Sequence, residues 1–290
     1  MEKHVELHAP AKVNLALDVV GKRENGYHDV RMIMQTLNLY DTLSMERNKT
    51  GEIILKTNIP YLPVDENNLV YRAVSLIKEQ YQIPDGITID LKKKIPVAAG
   101  MAGGSSDCAA ALKGMNRLFD LHLNENDLMG IGVSIGADVP YCIMEGTALS
   151  EGIGELLTPL PPMPQCPVLI VKPPFHVSTR YVYDHLNLES VKRHPDVDGM
   201  IKDLHSRDLN GISGKLANVL ENVTILKYPM IAEIKHSMME LGAMNALMSG
   251  SGPTVFGLFE EYDKAQKASR WFKQSDPTLK IFVTDFYNHL

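Results

Sequence analysis

The richest chemistry in the sequence lies in IPVAAGMAGGSSDCAAAL, Ile95 to Leu112. Pro96 ends a strand, and Gly100, Gly103 and Gly104 then open backbone angles closed to other residues. Ser105 or Ser106 can cap the helix that follows, with Asp107 in its first turn. A flexible loop opening onto a helix N-terminus aims several N–H groups at one spot, with the positive end of the helix dipole behind them. Such a concavity holds phosphate oxygens with few cationic side chains. A glycine turn capping a core helix would use similar residues, but the density of small residues and the paired serines favour phosphate. The loop is not a Walker A motif, because no Gly-Lys-Ser/Thr occurs, and its glycines do not fall at G-x-G-x-x-G. No His/Cys cluster has metal-ligand spacing.

The elements that must position this loop follow from hydrophobic spacing. Val13, Leu15, Leu17 and Val19 alternate as one strand face, and Val30, Met32, Met34 and Thr36 as another. Between them Gly21, Asn25 and Gly26 predict a turn. Further strands are expected at Thr42–Arg47, Glu52–Thr57, Ile87–Leu91 and Tyr141–Met144. Leu69, Ala73 and Ile77 form a helical stripe from Asn68 to about Tyr81. Other helices are expected from Ser105 to about Leu118 and from Asn124 to about Ile135. Pro159, Pro161, Pro162, Pro164 and Pro167 then crowd a stretch where neither helix nor central strand persists. This places a domain boundary near Pro161, giving domains of residues 1–160 and 161–290. The second half reads as a strand at Val168–Val171, several helices, a strand–glycine turn–strand at Ala246–Phe259, a helix from Asp263 to Phe272 and a strand at Lys280–Asp285. That pattern is α+β.

Bulk properties exclude several functions. The chain has 290 residues, 44% of them hydrophobic and 22% charged, near ordinary globular composition. Its formal net charge of −6 argues against nucleic acid as a partner, whose binding site would be basic. A few placed lysines and backbone amides can still make a local positive pocket for a small anion. Cys108, Cys142 and Cys166 form no CxxC pair, and a reducing compartment is the default. MEKHVELHAPAKVN has no apolar stretch long enough for a signal peptide, and no segment reaches membrane-spanning length. The expectation is a cytoplasmic protein with no membrane partner, acting as a monomer or homodimer.

Three motifs in order make the chain similar to one enzyme family. PVAAGMAGGSSDCAAAL resembles the phosphate loop of the GHMP kinases, which include galactokinase, homoserine kinase, mevalonate kinase and phosphomevalonate kinase. PAKVNLALDVVGKRENGYHDV, Pro10 to Val30, resembles their N-terminal motif, and MSGSGPTVFGLF, Met248 to Phe259, their C-terminal glycine motif. The resemblance implies a two-domain α+β fold with an N-terminal ribosomal-protein-like α/β domain and a C-terminal ferredoxin-like α+β domain. It implies an ATP-dependent kinase for a small-molecule alcohol, with Mg²⁺ arriving on the nucleotide. The GYH triplet at Gly26–His28, GGSSD at Gly103–Asp107 and IGADVPY at Ile135–Tyr141 most resemble members acting on a cytidine diphosphate sugar alcohol. Such members usually carry three glycines where this chain has Ala98, Ala99 and Gly100, a departure that bears on nucleotide affinity.

Site residues carry over position by position. Lys12 and Asp138 match the catalytic pair. Asp138 would orient or deprotonate the hydroxyl, and Lys12 would stabilise charge near the γ-phosphate. From the residues alone, Asp138 in GADVP reads as a turn former and Lys12 as a solvated lysine. The nucleotide would lie on Pro96, Val97, Ala98, Ala99, Gly100 and Met101, then Ala102, Gly103, Gly104, Ser105 and Ser106. Asn68 would contact adenine, although helix capping explains it equally well. Tyr27 would stack on the cytosine and His28 would read its polar edge. Asn14, on the Lys12 face of the strand, would bind a substrate hydroxyl, and Thr179 and Tyr183 are further substrate contacts. Gly136 would let the chain approach Asp138 closely, and Lys92, Lys93 and Lys94 read as a solvated strand end. The glycine turn at Gly250 and Gly252 would close on the phosphate loop. A homoserine- or mevalonate-type kinase is the nearest alternative, and GYH speaks against it. A regulator without catalysis, or an RNA-binding module, is opposed by the Lys12–Asp138 set and by the acidic balance.

Overall fold

A computed structural model describes residues 2–24 and 26–288, so Asn25 of the expected turn lies outside the described residues. The chain opens with β1 (His4–Lys22), β2 (His28–Asn48), β3 (Ile53–Thr57), α1 (Leu69–Gln80), β4 (Gly86–Lys92), α2 (Gly103–Phe119), α3 (Glu125–Val133) and α4 (Val139–Met144). Next come β5 (Thr147–Glu151), β6 (Leu156–Pro159), β7 (Val168–Lys172), α5 (Thr179–Asp184), α6 (Val197–Ser206), α7 (Leu209–Gly214) and β8 (Ala217–Asn218). The chain continues through α8 (Glu221–Lys227), α9 (Met230–Glu240), β9 (Asn245–Met248), β10 (Val255–Leu258), α10 (Tyr262–Ser275) and β11 (Lys280–Thr284). Among the described residues, no helix is long and apolar enough to cross a membrane.

These elements gather into two compact units. The first takes residues up to Ala11, Leu39–Val97 and Ala102–Met144; the second takes Lys12–Asn38, Ala98–Met101 and residues from Glu145 onward. In the first unit, β4 pairs antiparallel with the end of β2, from Thr42↔Lys92 to Asn48↔Gly86, and parallel with β3. Helix α1 buries Val70, Ala73, Val74 and Ile77, the stripe its sequence predicts. It packs on α2, which contacts α4 in turn. Small side chains let α2 sit close to the sheet: a Cβ on Gly114 would lie 2.4 Å from the Met45 sulfur. Asn124 caps α3 in a reciprocal capping box with Asp127, satisfying two otherwise unpaired donors.

Two local expectations are corrected in this unit. Residues 141–144 form helix α4, not a strand. Val139–Pro140 open it, and proline suits the first turn of a helix, where its missing N–H is not needed. Glu145 and Gly146 then take positive φ values of 59° and 72°, which end it. Helix α2 begins at Gly103 rather than Ser105, so neither serine caps it. Ala102, in the left-handed region at φ 54°, takes the cap position with no side-chain hydrogen bond.

The second unit holds an antiparallel four-stranded sheet in the order β11-β7-β10-β9, against which α9 and α10 pack. Its central strands are buried on both faces, from Val168 to Lys172 and from Val255 to Leu258. The same unit contains the β5 pairing with β2, from Met32↔Ser150 to Gln35↔Thr147, and the parallel contact of β1 with β8 at Ala16↔Ala217. The proline-rich stretch after β6 carries no regular element until β7. Both units mix helices with sheet, the α+β class expected from the sequence.

Candidate active site

In the second unit, β1 presents Lys12 and Asn14 on one face, as strand alternation requires. Lys12 is 5% exposed, and its ammonium donates to Asn14 Oδ1 at 2.9 Å. Asn14 is fully buried, and its amide donates to the Met32 sulfur at 3.2 Å. A thioether is a weak acceptor, so this amide donor is held only weakly. The backbone N–H of Lys12 donates to the Met101 carbonyl at 3.2 Å, fastening β1 to the glycine-rich loop.

The loop and the C-terminal glycine turn are built against each other within this unit. Gly100 has φ 74°, and a Cβ there would lie 2.3 Å from the Ser249 carbonyl oxygen. The close approach therefore demands glycine, and the backbone angle favours it. Ser249 Oγ donates to the Gly100 carbonyl at 2.9 Å. Asn218 holds the turn from the other side, donating to the Met248 and Gly250 carbonyls at 2.8 Å each. The closing of this turn on the loop matches expectation, but sequence reasoning does not reach Ser249 or Asn218. Ser249 lies within the C-terminal glycine motif, whereas Asn218 carries no local signal. Ala98 adopts φ 49° where the related loop has glycine, so the alanine accepts the left-handed conformation rather than avoiding it.

Substrate-side candidates meet around α5. The rings of His28 and Tyr183 stand 5.1 Å apart, tilted by 40°. Burial, with help from the nearby Lys22 charge, holds His28 below its ordinary pKa, so it is neutral at pH 7 and can donate from one ring nitrogen and accept at the other. Tyr27, next to it in sequence, is 58% exposed. Thr179 Oγ1 lies 2.9 Å from Ser251 Oγ, which ties α5 to the glycine turn. Ser178, not Thr179, caps α5.

The first unit holds the remaining candidates. The first N–H groups of α2, from Gly103 to Ser105, have no intrahelical acceptor and no side-chain cap, leaving them open to an anion. Ser106 Oγ is buried with no partner among the described residues. Pro96 is buried and Val97 half-buried ahead of them. Asn68 caps α1, accepting from Val70 N at 2.9 Å and donating to the Pro63 carbonyl at 2.7 Å. Asp138 is half-buried at the start of α4, its carbonyl accepting the Cys142 N–H at 3.1 Å. Gly136 plays no steric part there: a Cβ would meet Val139 at an ordinary 3.5 Å. The glycine that close packing demands is Gly132, where a Cβ would lie 2.7 Å from Val139.

The lysine run is also corrected. Lys92 and Lys94 are exposed, but the Lys93 side chain is only 4% exposed and bridges Asp41 and Asp107. Asp107 therefore serves an ion cluster rather than the first turn of α2. Burial pushes the thiols of Cys108 and Cys166 up to about 12, which makes them inert at neutral pH.

Known proteins resemble the chain along its whole length. The model of the GHMP kinase N-terminal domain matches residues 68–146, and that of the GHMP kinase C-terminal domain matches residues 200–275. A 4-diphosphocytidyl-2-C-methyl-D-erythritol kinase of Lachnospira eligens is 55% identical over 283 residues, 98% of each chain. One from Acetivibrio thermocellus is 46% identical over 280 residues, 97% of this chain and 98% of the relative. A crystal structure of 4-(cytidine 5'-diphospho)-2C-methyl-D-erythritol kinase superposes with TM-score 0.84 at 33% identity, covering 98% of this chain and all of the other. A homoserine kinase from Cytophaga hutchinsonii superposes with TM-score 0.79 at 21% identity, covering 98% and 95%, a likeness of fold alone.

Proposed function

The chain belongs to the GHMP kinase family, and from that premise we propose that it phosphorylates the 2-hydroxyl of 4-diphosphocytidyl-2-C-methyl-D-erythritol with ATP, in non-mevalonate isoprenoid precursor synthesis. The observation that carries this reading is the end-to-end match to relatives bearing that name. Residues 1–160 would form the N-terminal kinase domain and 161–290 the C-terminal one, with one matched family domain on each side of the division.

In this reading the nucleotide phosphates lie on the loop from Pro96 to Ser106, with Asn68 beside the base. The N–H groups at the start of α2, which have no intrahelical acceptor and no side-chain cap among the described residues, support the assignment, as does the steric demand for glycine at Gly100. Asp138 takes the proton of the substrate hydroxyl, the hydroxyl oxygen bonds to the γ-phosphorus, and the bond from that phosphorus to the β-phosphate oxygen breaks to release ADP. Lys12 stabilises the charge on the transferring group, and Asn14 orients the alcohol. Tyr27 stacks on the cytosine, while neutral His28 reads its edge beside Tyr183 and Thr179. Among the described residues, no group of three or more His, Cys, Asp or Glu side chains is placed to hold a metal ion. Mg²⁺ would arrive on the nucleotide, held mainly by phosphate oxygens and water, and would supply charge neutralisation.

ADP release measured over a panel of alcohols tests the reading. Turnover with the cytidine diphosphate substrate, and little with homoserine or mevalonate, is the expected result. Equal turnover across the panel would overturn the substrate assignment.

A further inference from the structure

Three charged side chains of the first unit are buried together, and the reaction described above uses none of them. Asp41 lies in β2, Lys93 follows β4, and Asp107 sits in the second turn of α2. Their side chains are 0%, 4% and 4% exposed. The Lys93 ammonium donates to Asp107 at 2.5 Å and also to Asp41 Oδ2. The other Asp41 oxygen accepts the N–H groups of Lys94 at 2.5 Å and Ile95 at 2.8 Å. Both Asp41 oxygens thus accept hydrogen bonds. Asp107 is placed differently, because its Oδ1 is buried with no partner among the described residues. Two carboxylates share one ammonium, so ionising both leaves an unbalanced negative charge out of water.

The position of this cluster gives it a consequence for the nucleotide. The Lys93 ammonium lies 3.3 Å from where a Cβ on Gly103 would stand, and Ile95 lies 3.1 Å from it. The cluster is therefore directly under the first residue of α2, whose open N–H groups are the phosphate donors in our reading. Phosphate charge arriving there faces Lys93, and behind it whatever charge Asp107 carries. In a dry interior that repulsion is poorly screened.

The groups around Asp107 leave the balance to these three. Among the described residues, β2 turns Asp41 towards it and the segment after β4 turns Lys93. Helix α1 brings Arg72, whose field acts on the adjacent Cys108 thiol, and that thiol stays neutral. No charged group of α3 or α4 is among those acting on Asp107. Burial raises the Asp107 carboxyl to about 7, Lys93 opposing it and Asp41 adding to it.

We propose that Asp107 is a positioning residue for the nucleotide, acting through Lys93, and that it takes up a proton from solvent when phosphate binds at the start of α2. The proton removes one of the two negative charges and returns the cluster to one ammonium and one carboxylate. Linkage is reciprocal: if nucleotide favours the protonated form, protonation favours nucleotide. The affinity is thus fully present at acid pH and is lost as pH rises above about 7, by at most about tenfold per pH unit for a single proton.

This proposal rests on the kinase reading, and calorimetric titration with Mg·ATP separates the two. Wild type and Asp107→Asn are titrated at several pH values from acid to alkaline, in buffers of differing ionisation enthalpy. ATP's own titration is common to both proteins. Wild type is expected to take up a proton near neutral pH beyond that shared contribution, and its KM for ATP to rise with pH. The variant should lose both the extra uptake and the rise, because asparagine reproduces the shape and charge of the protonated side chain. For that same reason a variant that fails to fold, judged by its thermal melt, overturns the proposal. Identical proton uptake in the two proteins overturns it as well, with the kinase reading intact. Absence of Mg·ATP binding to wild type would overturn the kinase reading itself.

Discussion

Replacing Gly100 by alanine tests whether the glycine-rich loop and the 249–252 turn form one fitted surface. At φ 74° an alanine leaves its preferred region, at a cost of about 1–2 kcal/mol. Its Cβ would also stand 2.3 Å from the Ser249 carbonyl oxygen and 3.0 Å from that of Gly252. Both are backbone atoms, which cannot turn aside as a flexible side chain does. Forcing a methyl group into such a contact costs typically about 1–3 kcal/mol, so the two terms together reach about 2–5 kcal/mol. If the 249–252 turn holds, the loop itself must move, and ATP affinity falls by roughly tenfold or more at about 1.4 kcal/mol per decade. If the whole unit yields instead, the loss appears as a melting temperature lower by about 4 °C or more. Thermal melts and the KM for ATP, measured on the same preparation, capture either route. Gly136→Ala is the control, since a Cβ there meets Val139 at 3.5 Å and should leave both quantities nearly unchanged. A Gly100→Ala enzyme that melts with wild type and binds ATP equally well would refute the fitted-surface argument.

The other expectations follow from single positions. Ala98→Gly should relieve left-handed strain at φ 49°; against the added freedom of the unfolded chain the net gain is about 0.5–1 kcal/mol, visible as a higher melting temperature. Asp138→Ala should remove most of kcat while calorimetry shows ATP binding nearly intact, because a base acts in the transition state; near-normal turnover would remove Asp138 from the mechanism. Tyr27→Ala should lower kcat/KM for the cytidine substrate by about tenfold or more, on a stacking scale of roughly 1–3 kcal/mol, with the KM for ATP unchanged. In the wild-type enzyme CDP should inhibit better than UDP, since uracil reverses the donor at the edge His28 reads. Equal inhibition would detach His28 from base recognition.

Periodicity and punctuation make much of the fold legible in the sequence alone. The stripe Leu69, Ala73, Ile77 sets α1, the asparagines at 68 and 124 mark its start and that of α3, and alternation finds the core of β1 and β2. These are local signals, carried by residues a few positions apart. Local pattern is insufficient where two elements compete on one short apolar run: VPYCIM suits a strand by composition, and its packing against α2 and α3 accompanies the helical form. Tertiary structure alone decides what each chemical group faces. Ser249 meets the Gly100 carbonyl from 149 residues away, Tyr183 meets His28 across a comparable interval of chain, and Asn218 holds the glycine turn with no motif around it. Lys93 is the sharpest case. Its sequence neighbours Lys92 and Lys94 are solvated, and nothing in a run of three lysines says which one turns inward. Asp41 and Asp107 decide it, because a buried ammonium is tolerated only where carboxylates from distant segments converge to replace its water, and that convergence exists only once the chain has folded.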